Sequence, residues 1–124
     1  MIKLDHLSLP VRDWQASRDW YLRVLGLTIE FEIPDRRTVA MRDEFDFTIF
    51  LTSDGTAPVA PGCVLTFQVD DVAATHAALV RHGVAFVHPP QKMFWGYGAE
   101  LRDPDGYRIW LYDERSMREQ GGGG

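Results

Sequence analysis

The side chains of this sequence best suited to chemistry are four histidines, one cysteine and a cluster of aromatic residues towards the C-terminus. His6 lies in LDHLSLPV, an alternating stretch that reads as a strand with His6, Ser8 and Pro10 on one face. An imidazole there can contact a ligand or pass a proton near neutral pH; a hydrogen-bonded strand histidine in a partly wet cleft is the equal alternative. His76, His82 and His88 read as surface or helix-end histidines, since two fall on a helical stretch and one precedes Pro89-Pro90. Cys63 shares parity with Leu65 and Phe67 and reads as a small buried apolar residue. No nucleophile elbow, phosphate-binding loop or paired-cysteine motif is present. The charged clusters Asp35-Arg36-Arg37 and Arg42-Asp43-Glu44 read as solvated turns, and Asp70-Asp71 as a strand end plus a helix cap. The aromatic cluster is Phe94, Trp95 and Tyr97 in KMFWGYG, then Trp110 and Tyr112 in RDPDGYRIWLYDE. Such rings can lie against a flat heteroaromatic molecule, or can cover the open end of a cleft as packing.

The elements that position these residues come in two copies. LSLPVRDWQASRDWYLR (7–23) aligns with LTFQVDDVAATHAALVR (65–81). Asp13 and Asp71 are suited to cap the helices, and Gly26 and Gly83 fall where a helix C-terminus favours a left-handed residue. Ser17, Trp20, Tyr21 and Val24 form an i, i+3, i+4, i+7 stripe, repeated more sparsely by Thr75, Ala78, Leu79 and His82. Expected strands are 4–11, 28–33, 38–42 and 47–52 in the first copy, and 63–69, 85–88, 97–102 and 108–113 in the second. A long loop is expected over 89–96. Each copy is therefore βαβββ: module one spans 2–53, a Gly/Pro-rich linker 54–62, and module two 63–114. Residues 115–124 read as a tail, with Gly121 to Gly124 flexible.

Neither module is large enough to bury much apolar surface alone, so an α+β fold with a curved sheet around a cleft is expected. A split ferredoxin-like pair is the alternative, because strand order cannot be read from pattern. Strand parity puts Leu7, Leu9, Val11, Phe47, Ile49, Leu51, Cys63, Leu65, Phe67, Val69, Ile109 and Leu111 under the helices. It turns His6, Ser8, Pro10, Thr48, Phe50, Thr52, Val64, Thr66, Gln68, Arg108, Trp110 and Tyr112 to the concave side. That face is semi-polar and aromatic, which suits a small-molecule site.

At 124 residues, 45% apolar and 25% charged, the chain has the composition of one soluble globular domain. A net charge of −5 argues against a nucleic-acid surface and mildly favours neutral or cationic ligands. No apolar run approaches a membrane span, and Met1-Ile2-Lys3-Leu4 leads straight into strand-like alternation, leaving no room for a signal peptide. With its lone cysteine unable to form an internal disulfide, the protein is expected in the cytoplasm.

LDHLSLPVRDWQASRDWYLRVLGL, FQVDDVAATHAALVRHGV and LRDPDGYRIWLYDE together resemble the vicinal oxygen chelate superfamily of glyoxalases, bleomycin-resistance proteins and extradiol dioxygenases. The resemblance covers residues 2–114 and implies tandem βαβββ modules. Metal-using members place His or Glu at first- and fourth-strand positions facing the cleft; the matching residues here are His6, Phe50, Val64 and Trp110. Only His6 can bind a metal, whereas a catalytic divalent site usually needs about three protein ligands. RDEFDFTIFLTS (42–53) and KMFWGYGAELRDPDG (92–106) sharpen the resemblance towards bleomycin-resistance-like members, which sequester a drug without metal. The resemblance thus implies a metal- and cofactor-independent protein that binds an aromatic or cationic small molecule, with no catalytic residue beyond the weak candidate His6. The ligand-binding set is His6, Phe50, Phe94, Trp95, Tyr97, Arg108, Trp110 and Tyr112. It also implies a homodimer, with Trp14 and Trp20 as candidate interface residues. Two enzymatic alternatives stay open: a lyase, isomerase or dioxygenase with a metal site rebuilt from His6, Glu100 and another donor, or cofactor-free proton transfer by His6 with Arg108 steadying an anion.

Overall fold

The computed structural model describes residues 1–121, which divide into two compact units. Among the described residues, the first holds 1–60 together with Asp103–Asp105, and the second holds 61–102 and 106–121. In the first unit, β1 (His6–Pro10) leads to α1 (Trp14–Arg23), then β2 (Thr28–Ile33), β3 (Thr38–Arg42) and β4 (Thr48–Thr52). The second repeats this with β5 (Val64–Gln68), α2 (Val72–Arg81), β6 (Phe86–Met93), β7 (Gly96–Arg102) and β8 (Arg108–Tyr112). The two four-stranded sheets run β1-β4-β3-β2 and β5-β8-β7-β6. In each, the first and fourth strands pair in parallel and the remaining pairs are antiparallel. These are the tandem βαβββ modules expected from the repeat, and the sheets are not closed.

The helices begin and end for local reasons. Asp13 accepts hydrogen bonds from the Gln15 and Ala16 amides, and Asp71 from that of Ala74, so each carboxylate satisfies donors the first turn leaves unpaired. Gly26 and Gly83 follow the helices at φ +69° and +87°, a conformation costly for a residue with a Cβ. Ser17 and Tyr21 are the buried members of the α1 stripe. Alternation places Leu9, Val39, Met41, Ile49 and Leu51 in the first core and Leu65, Ala99, Leu101, Ile109 and Leu111 in the second. Each large aliphatic side chain so buried contributes about 1.5–3 kcal/mol.

The turn Asp103-Pro104-Asp105-Gly106 is built as its sequence suggests. The Asp105 amide donates to the Asp103 carboxylate (2.9 Å), and Gly106 takes φ +87°. The other Asp103 oxygen accepts the Tyr21 hydroxyl at 2.6 Å, and Asp105 accepts both the Arg12 amide and its guanidinium.

Several elements depart from expectation. β6 runs through Pro89 and Pro90 to Met93, where a loop was expected. It is an edge strand with register shifts at Phe86/His88 and His88/Gln91, and these bulges admit the prolines, which have no N–H to give a ladder. Leu7 and Phe47, expected beneath α1, remain about 40% exposed; Leu7 lies near the start of β1, Phe47 lies just before β4, and α1 is only ten residues long. Cys63 and Phe67 are only half-buried. The chain expected as a tail from residue 115 instead continues as α3 (Glu114–Ser116) and a wider helical turn to Gly121. Asp113 caps this segment through the Ser116 amide (2.6 Å), and the Met117 sulfur occupies the space a Cβ on Gly96 would fill. Gly122 to Gly124, part of the stretch expected to be flexible, lie outside the described residues. No described helix is long and apolar enough to cross a membrane.

Candidate ligand-binding faces

Each sheet has one face under its helix and one free of it, and the free faces carry most of the residues singled out by sequence. In the second unit, the register sets Glu100 on β7 directly opposite Trp110 on β8, and Arg102 opposite Arg108. Opposed residues of an antiparallel pair point the same way, so these four side chains share a face. Glu100 is 3% exposed and fully engaged. One of its oxygens accepts Trp110 Nε1 at 2.7 Å and an Arg108 Nη at 3.1 Å; the other accepts Arg102 Nε at 3.3 Å and Arg108 Nε at 3.4 Å. Burial by itself pushes the Glu100 carboxyl up. The hydrogen bonds from Arg108 and Trp110, with the charges of Arg108 and Arg102, outweigh it and hold the group below its ordinary value.

Trp110 is thereby fixed in orientation through its indole N–H. The Arg108 guanidinium carbon lies 5.3 Å from the centre of its ring, a cation–π distance. Trp95 stacks on Trp110 with centroids 4.7 Å apart and planes at 11°. Gly98 makes this possible: a Cβ there would overlap both the Trp95 ring and the Leu111 carbonyl. Phe94, at the tip of the β6–β7 hairpin, is 91% exposed and meets Trp110 edge-on at 6.1 Å. Trp95 Nε1 is buried without a hydrogen-bond partner. Tyr112 lies further along β8 with its hydroxyl on the Gln68 side chain (3.2 Å). Tyr97 does not join the group. Its parity in β7 is that of Ala99 and Leu101, its hydroxyl turns to the Pro90 carbonyl (3.5 Å), and its amide donates to the Met117 sulfur.

On the first unit, His6 and Phe50 stack at 3.8 Å with planes at 14°, and Phe31 meets Phe50 edge-on at 5.5 Å. His6 also pairs through Nδ1 with Asp5 at 3.0 Å. Phe31 is the member sequence reasoning missed. A register shift between Ile29 and Phe31 breaks the alternation in β2, so that Glu30, bonded to the Thr48 hydroxyl (3.0 Å), and Phe31 both reach the free face. Of the other histidines, His76 packs edge-on against Phe86, His82 bonds to the Ala78 carbonyl at the end of α2, and His88 bonds to the Pro89 carbonyl.

The side chains present do not fit the divalent metal of the metal-using vicinal oxygen chelate proteins. Three of the four positions hold Phe50, Val64 and Trp110. Glu100, the donor proposed to rebuild a site, already has both oxygens on guanidinium and indole donors. Among the described residues, no three His, Cys, Asp or Glu side chains are grouped to hold an ion.

A family model described as the glyoxalase/bleomycin resistance protein/dioxygenase superfamily matches residues 3–111. Among solved structures, the chain is similar to TnmS3, an antibiotic-binding protein from Streptomyces sp. CB03234. The identity is 26%, with 91% of this chain and 96% of that one covered and a TM-score of 0.77. It is also similar to a superfamily member from Sphaerobacter thermophilus DSM 20745 (27% identity, 92% and 99% covered, TM-score 0.76). A third likeness is to UcmS2 (25% identity, 90% and 97% covered, TM-score 0.72). None of the curated protein sequences matches the chain.

Proposed function

The chain belongs to the glyoxalase/bleomycin resistance protein/dioxygenase superfamily, and we propose that within it this protein binds a planar aromatic small molecule, cationic or neutral, without a metal. The observation that carries this reading is the Trp95–Trp110 stack, anchored by Glu100 beneath and flanked by the exposed Phe94. Stacked indoles present wide, rigid, polarisable surface at low entropy cost, which favours flat ligands over flexible ones. The likeness to an antibiotic-binding protein supports drug or toxin sequestration as the biological version of that binding. Phe50 and His6 offer a second ring surface of the same kind on the first unit.

The proposed assembly is a homodimer in the cytoplasm. Ile29, Phe31 and Ile33 on edge strand β2, about 40% exposed, are apolar area that a second copy would cover. Sedimentation velocity checks the assembly, and a monomer at micromolar concentration would refute it.

The binding reading is tested by titrating a panel of planar aromatic cations and neutral polycycles against tryptophan emission. Saturable quenching is expected for at least one of them. In Trp95→Ala the affinity should fall by about 1 kcal/mol or more, roughly fivefold. Unaltered affinity in that variant would return the hairpin to a packing role. For the metal, the protein is equilibrated with Ni, Zn, Mn, Fe(II) or Co, desalted and assayed by elemental analysis. About one retained ion per chain, lost in His6→Ala, would overturn metal independence.

A further inference from the structure

The carboxyl ends of the parallel strands β1 and β4 open onto a cavity of about 440 Å³ on the first unit, lined by Val11, Arg12, Arg37, Ser53, Thr56 and Pro58 among others. Three features there leave hydrogen-bonding capacity unused. The Ser53 hydroxyl is buried with no hydrogen-bond partner, an arrangement proteins seldom keep without use. Arg37 adopts φ +50° and ψ +47° behind the turn Pro34–Arg36, a left-handed conformation that a glycine would take at lower cost. Its guanidinium forms no ion pair among the described residues. Arg12 is paired only through one Nη, 3.2 Å from Asp105, which leaves most of its five donors unused.

The internal repeat shows what this place lacks. Thr52 ends β4 as Tyr112 ends β8, so Ser53 corresponds to Asp113, and Arg12 corresponds to Asp70 two residues after its strand. In the second unit, Asp113 fills the seat with its own carboxylate: it accepts the Val72 amide at 2.6 Å and two bonds from Ser116. At these two places the first unit has a hydroxyl, Ser53, where the second has Asp113, and an arginine, Arg12, where the second has Asp70; Arg37 lines the same cavity.

We propose that this cavity binds a small phosphate-bearing anion, with Arg12 and Arg37 gripping the phosphate oxygens and Ser53 donating its hydroxyl. Guanidinium forks match the paired oxygens of a phosphate, and two of them balance a dianion. The volume leaves room for an organic group beyond the phosphate.

The test is a titration of the isotope-labelled protein with inorganic phosphate and with phenyl phosphate at fixed ionic strength, set by chloride. The amides of Ser53 and Thr56 and the Arg37 Nε–H are followed by NMR. Saturable shifts confined to this cavity are expected for both probes; tighter binding of phenyl phosphate would identify an organic phosphate, and equal binding free phosphate. Arg37→Gly should weaken binding at least tenfold while leaving the unfolding midpoint unchanged or higher, because glycine accepts the left-handed backbone. Ser53→Ala should weaken it severalfold. Shifts that never saturate, equal binding of benzoate, or full affinity in a folded Arg37→Gly would each overturn the proposal.

Discussion

Ala40 and Glu100 occupy the same place in the two sheets. Each lies on the third strand directly opposite the ring-bearing residue of the fourth, Phe50 in one unit and Trp110 in the other. Around Ala40 the free face is held by ring contacts, His6 and Phe31 on Phe50. Around Glu100 it is held by a buried carboxylate with two arginines and an indole N–H. A shared strand order therefore constrains only the faces beneath the helices, where both units carry aliphatic side chains. The free faces have diverged by exchanging one packing principle for another. Ring contacts tolerate sliding, while a carboxylate bonded on both oxygens fixes its partners to within a fraction of an ångström. The free face of the second unit is accordingly the one held in a set orientation.

Transplanting the acid breaks this contrast most severely. Ala40→Glu would bury a carboxylate without the Arg108 and Trp110 donors, whose places in this sheet are held by Thr48 and Phe50, while Arg42, the counterpart of Arg102, is already paired with Asp46 at 2.8 Å. A loss of about 3–5 kcal/mol is expected in urea unfolding, and a loss below 1 kcal/mol would mean the first sheet has hidden donors. Next in size is Glu100→Gln, expected to cost about 2 kcal/mol; the partial exposure of both arginines keeps it below a fully buried pair. The pH dependence sharpens the same point. Because the folded Glu100 carboxyl is held below its ordinary value near 4.5, its contribution is complete above that pH and is lost as pH falls through the lower folded value. The wild type should therefore lose stability below about pH 4.5 more steeply than Glu100→Gln, measured by thermal unfolding across pH 3–6.

A smaller effect separates the two residues that follow the fourth strand of each unit. Asp113→Ala removes the acceptor for the Val72 and Ser116 amides and should cost about 1–2 kcal/mol, whereas Ser53→Ala, whose hydroxyl has no partner, should be neutral or slightly stabilising. Smallest is Phe50→Leu, which keeps apolar volume but ends the ring stacking with His6. About 0.5–1 kcal/mol is expected, with an upfield-shifted His6 ring proton moving towards its free position in the NMR spectrum.

What could be read in the sequence follows the same division. Both βαβββ modules, their aspartate caps and their terminal glycines were readable because each rests on local chemistry repeated at fixed spacing. Trp110 and Phe50 were assigned to the free faces by parity alone. Parity fails where the strands bulge: an irregularity in β2 turns Phe31 round, and the Pro89–Met93 part of β6 reads as a loop because its prolines lie in bulges. Tyr97 was grouped with the aromatic hairpin by proximity in sequence, although its neighbours Ala99 and Leu101 mark the opposite face. Glu100 reads in the sequence only as a possible metal donor; its saturation by two arginines depends on cross-strand register, which no single strand encodes.

The C-terminal turn has a chemical consequence of its own. Met117 rests its sulfur directly against the backbone at Gly96, in the space of the missing Cβ, and takes the Tyr97 amide at 3.4 Å. A thioether fits that seat because it is compact and weakly polar; the sulfoxide carries an added oxygen for which the seat has no volume. One oxygen atom added to Met117 by peroxide would therefore unseat the last helical turn from β7, next to the hairpin that carries Trp95, and reduction of the sulfoxide would restore it.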